Sequence, residues 1–445
     1  MNLKSGWSRR SFLSTFGAAI GTFFTTGKLQ AAPLMGQSKD YGKASVHGTP
    51  RLTGLGSTGD IYAELGVTPV LNGAGTYTVL GGSLMAPEVI EVMRLGNDHF
   101  VDINELEVAA GKMMAQMCKM PAGYTGLVTA GAAAALLVGY AAILTGDNKQ
   151  YIQQIPDLTG MPKSEVIIQK SHRYPFDHQV RQTGVKLVEV ETREELIAAI
   201  NPRTAALHFT NLFNEQGQVK VDEFVQIAHQ HNLPAFNDCA ADTPPIPRLW
   251  KYTNMGYDLV TFSGGKDIRG PQAAGLLMGK EELIRCSLLN MSPQEDTIGR
   301  ASKVGKEEIC GMLKALEMFL ASDQDAILKQ YYVQLGHISD KVKKIPSVTT
   351  AYDFNPNQIA NHTVSMSISW DPAKILLTRK QVTEQLAASK PLSIRLAGGD
   401  GGGWKKGGAK PRPSVGITPW MLKPGEEKII ADRLSEILHS GIVTS

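Results

Sequence analysis

Strand-like and helix-like stretches alternate from about residue 100 to 285, and two of the strands close on residues of opposite charge. Such alternation predicts a largely parallel sheet with helices on both faces. In open sheets of this kind, ligands gather outside the carboxyl ends of the strands. The apolar run Val260-Thr261-Phe262 passes into Ser263-Gly264-Gly265-Lys266-Asp267-Ile268-Arg269-Gly270-Pro271-Gln272, a glycine-loosened turn that carries one lysine. The run Leu233-Pro234-Ala235-Phe236-Asn237 reads as a short buried strand and ends in Asp238-Cys239-Ala240. An amine and a carboxylate are therefore expected at one edge of the sheet.

A lysine so placed can hold an aldehyde as an imine and then move protons. A carboxylate beside it can pair with a pyridine nitrogen and make the ring an electron sink. Lys266 and Asp238 are thus expected to bind pyridoxal 5'-phosphate and to carry catalysis. Ala240 points to the same side as Asp238 and is small enough for a flat ring to lie on, Ser263 offers a hydroxyl to a phosphate, and Cys239 should face away because strand neighbours alternate. Taken singly these residues are ordinary: a lysine after a Gly-Gly turn commonly faces solvent, and an aspartate at a strand end commonly forms a turn. The order Asp-x-Ala followed by Ser-x-x-Lys, each closing a strand, carries the argument. A nucleotide-binding P-loop is excluded, because Lys266 is followed by Asp267 and the upstream glycine position is Val260.

Thr129-Ala130-Gly131-Ala132 opens an apolar helix that runs to about Leu144. Helix N-termini expose unpaired amides and the positive end of the dipole, so this turn is a candidate phosphate cradle, although the same tetrapeptide is a common close-packed helix start. The run Glu165-Val166-Ile167-Ile168-Gln169 reads as a strand leading to Ser171-His172-Arg173.

The lysine block Phe262 to Gly275 resembles the corresponding segment of the selenocysteine synthase-like branch of fold-type I pyridoxal-phosphate enzymes. That branch includes L-seryl-tRNA(Sec) selenium transferase and D-glucosaminate-6-phosphate ammonia-lyase. Further blocks agree: Tyr62 to Val67, Gly75 to Thr78, Gly81 to Leu84, Val128 to Leu136 and Gly299 to Ile309, so that the resemblance covers residues 59 to 440. It implies an α/β fold, with an aspartate aminotransferase-like large domain built on a mostly parallel sheet and a smaller α+β C-terminal domain. It makes His172 the candidate ring to stack on the pyridine face. Where the family often has serine this chain has Ala130, which leaves more of the phosphate binding to Gly131, Ala132, Thr129 and Ser263. Arg395, on the strand Leu392 to Arg395, could clamp a substrate carboxylate through two parallel hydrogen bonds, with Arg269, Arg300 and Lys303 as rival anion binders. Fold-type I sites are usually completed by a neighbouring chain, which implies a homodimer or a higher homo-oligomer.

Ser8-Arg9-Arg10-Ser11-Phe12-Leu13 is a twin-arginine export pattern, and the apolar region Phe12 to Phe24 after it is short for a membrane span. The expectation is a signal over residues 1–32, a linker over 33–58, the cofactor-binding large domain over 59–318 and a small domain over 319–445. The protein would then be periplasmic, free or held by an uncleaved anchor. Four of the 45 basic residues lie in the first 32 positions with no acid, leaving 41 basic against 42 acidic in the remainder. That balance leaves no basic footprint for nucleic acid, and the expected partner is a small amino acid. Cys118, Cys239, Cys286 and Cys310 show no metal-binding spacing and read as mostly buried thiols; no metal is expected. The small lobe should contain helices over Ala326–Lys344 and Gly425–His439 and a strand over Thr363–Ile368, with the glycine-rich Gly398–Gly408 as a flexible loop.

The expected reaction is elimination from an α-amino acid with a leaving group at Cβ, of ammonia-lyase type and with an amino sugar acid as one substrate class. β-Replacement on an aminoacyl substrate, transamination, racemisation and aldol cleavage use the same lysine and aspartate and stay open, as does a non-enzymatic exported binding protein.

Overall fold

The computed structural model describes residues 54–398 and 412–443. The twin-arginine motif, the apolar leader, most of the linker and residues 399–411 of the glycine-rich loop lie outside the described residues. The chain divides into two compact units, Met1–Val67 and Thr68–Ser445. In the first, Asp60 caps the short helix Ile61–Glu64 by accepting from Ala63 N at 3.0 Å. Glu64 accepts from Thr58 N at 2.7 Å, which closes the preceding loop.

The second unit holds two sheets. The larger is built from β2 (Tyr124–Thr129), β3 (Glu165–Gln169), β4 (Lys186–Val190), β5 (Thr204–Thr210), β6 (Ala235–Asp238), β7 (Leu259–Ser263) and β8 (Gly275–Lys280) in the order β2-β8-β7-β6-β5-β3-β4. β8 runs antiparallel to both its neighbours, and the remaining pairs are parallel. Every residue of β3, β5 and β6 is buried, as both-face coverage by helices requires. The helix Gly131–Thr145 is buried along nearly its whole length rather than on one stripe, and its Tyr140 hydroxyl reaches His208 Nδ1 of β5 at 2.8 Å. The core around this sheet extends from Val89 to Phe319.

The smaller sheet has the order β1-β11-β12-β10-β9, from β1 (Val70–Gly73), β9 (Thr349–Asp353), β10 (Ser365–Ser369), β11 (Ser393–Gly398) and β12 (Ser414–Ile417). Its helices include Gln324–Val342 and Glu426–Ser440, close to the spans read from sequence. Its own core runs from Tyr331 to Leu438 and takes in one distant residue, Leu71. That residue arrives because β1 pairs in parallel with β11, Val70 opposite Ser393 and Gly73 opposite Leu396, although about 320 residues separate the partners in the chain. Among the described residues no helix is long and apolar enough to cross a membrane, and no cluster of metal-ligating side chains occurs.

One buried charge is placed by this architecture. Glu107, on the helix Ile103–Met117, is fully buried. One carboxyl oxygen accepts from Val128 N of β2 at 2.9 Å and the other has no partner. Burial pushes its pKa up to about 8 from 4.5, so the native state keeps a proton that the unfolded chain begins to lose near pH 4.5. Stability from this group is complete below pH 4.5 and is lost as the pH rises toward 8. Glu107→Gln carries no titratable proton and should flatten unfolding free energy across that window in denaturant titrations. Parallel curves for variant and wild type would show that Glu107 does not hold the proton.

Candidate active site

The lysine turn is closed by main-chain bonds from both ends. Gly264 N donates to Ala274 O at 3.0 Å, Gly270 N to Gly264 O at 2.8 Å and Arg269 N to Lys266 O at 2.9 Å. Gly264 has no room for a side chain: a Cβ there would lie 2.3 Å from Met312 Sδ and 2.7 Å from Ala274 O. This tight crossing turns the chain back at the end of β7 and leaves Lys266 only partly accessible. Burial pushes the Lys266 amine below its ordinary value, while the charges of Asp238 and Asp242 pull the other way. The next residue, Asp267, is also desolvated, and burial pushes its carboxyl up to about 7. It accepts a hydrogen bond from the indole of Trp420, and Arg269 donates to the Trp420 carbonyl at 2.9 Å. The segment after β12 thus grips the lysine turn on both sides.

Asp238 ends β6, paired with Thr210 of β5 on one side and Thr261 of β7 on the other. Only 6% of its surface is exposed. Ala240 N donates to Oδ1 at 2.9 Å, and the hydroxyl of Tyr174 donates to Oδ2. Sequence reasoning missed Tyr174. It lies two residues past His172 on the loop after β3, and its aromatic type in that loop is the only signal that could have pointed to it. Ala240 O accepts from Ser263 N at 3.2 Å, so the ends of β6 and β7 are tied together beside the lysine turn.

The expected phosphate cradle is assembled by sheet register. Thr129 of β2 and Ser263 of β7 both pair with Gly275 of β8, so the three residues form a row at one sheet edge. Above that row sits the start of the helix Gly131–Thr145, where Ala130 is the N-cap and makes no side-chain cap. Gly275 permits the approach, since a Cβ there would lie 2.6 Å from the Gly131 carbonyl carbon and 2.7 Å from Ala132 N. Thr129 Oγ1 is occupied with Gly131 O at 3.0 Å. The structure therefore brings Lys266, Asp238, Ala240, Ser263 and the Thr129–Ala132 turn to the same sheet edge.

His172 departs from its expected role. Its ring is fully buried, packs edge-on against Phe209 with centroids 4.5 Å apart, and meets Gln169 Nε2 at 3.2 Å and Thr210 N at 3.3 Å. Burial pushes its pKa down to about 3, so it stays neutral. With both ring nitrogens engaged and no exposed face, His172, in the turn after β3, packs against β5, and the aromatic group that reaches Asp238 is Tyr174. The arginines are dispersed. Arg269 is bound to Trp420 with a left-handed φ of 56°, Arg300 donates to Ser292 Oγ at 3.4 Å, and Arg395 is exposed on β11 opposite Asn72 of β1.

A buried carboxylate at a strand end, a desolvated amine on the next strand's turn, and a helix start packed so closely on Gly275 that only hydrogen fits there form a donor set that suits pyridoxal phosphate. The fold and this site define a fold-type I, aspartate aminotransferase-like pyridoxal-phosphate enzyme. Residues 70–350 match the family described as SelA, L-seryl-tRNA selenium transferase, and the chain belongs to that family. It is 31% identical over 273 residues to a D-glucosaminate-6-phosphate ammonia lyase of Salmonella typhimurium, covering 59% of this chain and 70% of that protein. It is 28% identical over 401 residues to a 5'-C-glycyluridine monooxygenase-decarboxylase of a Streptomyces species, covering 86% of this chain and 94% of that one. An L-seryl-tRNA(Sec) selenium transferase of Serratia proteamaculans is 29% identical and matched over 57% of either chain. Among solved structures, that of a D-glucosaminate-6-phosphate ammonia-lyase superposes with a TM-score of 0.73 at 26% identity, covering 86% of this chain and 99% of the other.

The cradle is open to test through Gly275. Gly275→Val should push the Gly131–Ala132 amides off the sheet edge and weaken pyridoxal phosphate binding by at least about tenfold, the size expected when hydrogen bonds to a charged group are lost. Equilibrium dialysis reads the change, and an unaltered affinity would place the phosphate elsewhere.

Proposed function

We propose that this enzyme eliminates ammonia from a small α-amino acid carrying a hydroxyl or similar leaving group at Cβ, with an amino sugar acid as the favoured substrate class. The observation that carries this reading is the 31% identity to the Salmonella ammonia lyase over 70% of its length, and the 0.73 superposition on a structure of that activity supports it. When bound, pyridoxal phosphate supplies the electron sink that makes a Cα proton removable. Asp238 would hold the ring nitrogen, Ala240 would line the ring, and Ser263 with the Thr129-Ala130-Gly131-Ala132 turn would hold the phosphate. Lys266, its proton affinity reduced by burial, would take the Cα proton and give it to the departing Cβ hydroxyl, which leaves as water, and one water then hydrolyses the released enamine. Net, ammonia leaves and a 2-oxo acid remains. Arg395, exposed near the β1 edge, is the candidate for the substrate carboxylate, with Arg269 and Arg300 already engaged within the protein.

The near-neutral charge of residues 33–445 favours a small molecule over an aminoacyl-tRNA. The twin-arginine pattern supports export to the periplasm with the cofactor already in place. Lys266→Ala should abolish ammonia release from β-hydroxy amino acids and amino sugar acids, and Asp238→Ala should lower it by about a hundredfold or more, as expected for loss of a charged hydrogen bond at the reacting ring. Borohydride should fix the cofactor to Lys266 in the wild type, read as a mass increase on its peptide. Oxygen uptake with carbon dioxide release, and no ammonia, would favour the chemistry named for the Streptomyces relative instead.

We further propose that two copies associate through the apolar surface around the helices Pro87–Gly96 and Ile103–Met117. Phe100, between the two helices, is wholly exposed, and Leu84, Ile90, Val101 and Met113 on or beside them are also open to solvent; large apolar side chains left exposed in numbers favour association. Phe100→Asp combined with Val101→Asp should convert a dimer to a monomer in light scattering after gel filtration. A wild-type monomer would overturn the proposal.

A further inference from the structure

Asp238 is almost wholly removed from water, and a carboxylate in such a place keeps its charge only if donors replace the lost hydration. Ala240 N supplies one, on Oδ1. The other is the hydroxyl of Tyr174, on Oδ2, and its position is heavily constrained. Its loop is pinned by Asp177, which is buried and accepts from Arg173 Nε at 2.6 Å, Arg181 Nε at 3.1 Å and Tyr174 N at 3.3 Å. The Tyr174 ring lies nearly parallel to that of His208, 6.3 Å away at 22°, and edge-on to Phe213 at the same distance. Burial and the Asp238 charge keep the phenol protonated, so it has a proton to donate to the carboxylate. The other groups that act on Asp238 are less suited to this task. Lys266 lies on the next strand's turn and is given to other chemistry, and Asp242 adds like charge. His208 is held neutral, and Tyr140 spends its hydroxyl on His208. Cys239, the adjacent residue, is a desolvated thiol engaged with Asp242.

We propose that Tyr174 is a positioning residue that holds the Asp238 carboxylate aimed at the cofactor's ring nitrogen. A carboxylate oxygen has two lone pairs, so Oδ2 can accept from Tyr174 and from a ring N–H together. This inference rests on the pyridoxal-phosphate reading of the site.

The test is the affinity of the full-length protein for pyridoxal phosphate, read by equilibrium dialysis and by the cofactor's visible band. Wild type, Tyr174→Phe, Asp238→Asn and the double variant are compared. Tyr174→Phe keeps the ring and its packing but removes the donor. It should weaken binding by about tenfold and displace the cofactor's visible band. In the Asp238→Asn background the same change should have little further effect, because Tyr174 acts through that carboxylate. Equal affinity and an unchanged band for wild type and Tyr174→Phe, or an undiminished loss in the Asp238→Asn background, would overturn the proposal. Failure of the wild type itself to bind pyridoxal phosphate would instead overturn the reading of the site. Circular dichroism of the variants separates misfolding from either result, and should Tyr174→Phe not fold, Arg181→Gln, which loosens the Asp177 anchor from outside the site, should weaken cofactor binding as well.

Discussion

A cationic amine and a carboxylate share one water-poor edge of the large sheet, and much of the surrounding structure serves to hold them there. Neither group would remain in such a place without compensation, since the cost of desolvating a charge is several kcal/mol even after relaxation. Asp238 receives two hydrogen bonds and the field of Lys266, while Lys266 feels both Asp238 and Asp242. The result is an amine whose proton is held less tightly than in water, which is the property a proton-transferring lysine needs.

Geometry is fixed by sheet register and by places where only hydrogen fits. Gly264 lets the lysine turn cross beneath Ala274, and Gly275 lets a helix start settle onto the sheet edge. Because Thr129 and Ser263 both pair with Gly275, the reversed strand β8 is what brings two residues 134 positions apart in the chain to either side of one glycine. The small lobe adds a second constraint. Trp420 is held by Asp267 through its indole and by Arg269 through its carbonyl, so the turn carrying Lys266 responds to the position of the C-terminal sheet. The match to the selenium-transferase family spans residues 70–350 and so takes in the lysine turn.

The chain's local patterns alone determined the parallel sheet, the strand endings at Asp238 and Ser263, the lysine turn and the helix after Thr129, because each is encoded over a few neighbouring residues by apolar runs, glycines and turn formers. Tertiary structure decided what those patterns meet. The pairing of β1 with β11 depends on residues far apart in sequence and has no local signature. His172 looked suited to a ring-stacking role by position, yet the packing of Phe209 and the amide of Thr210 absorbed it into the core, whereas Tyr174 reached the carboxylate because Asp177 and two arginines bend its loop inward. Which side chain faces a ligand is settled by the competition among buried polar groups for partners, and that competition is resolved only when distant strands have come together.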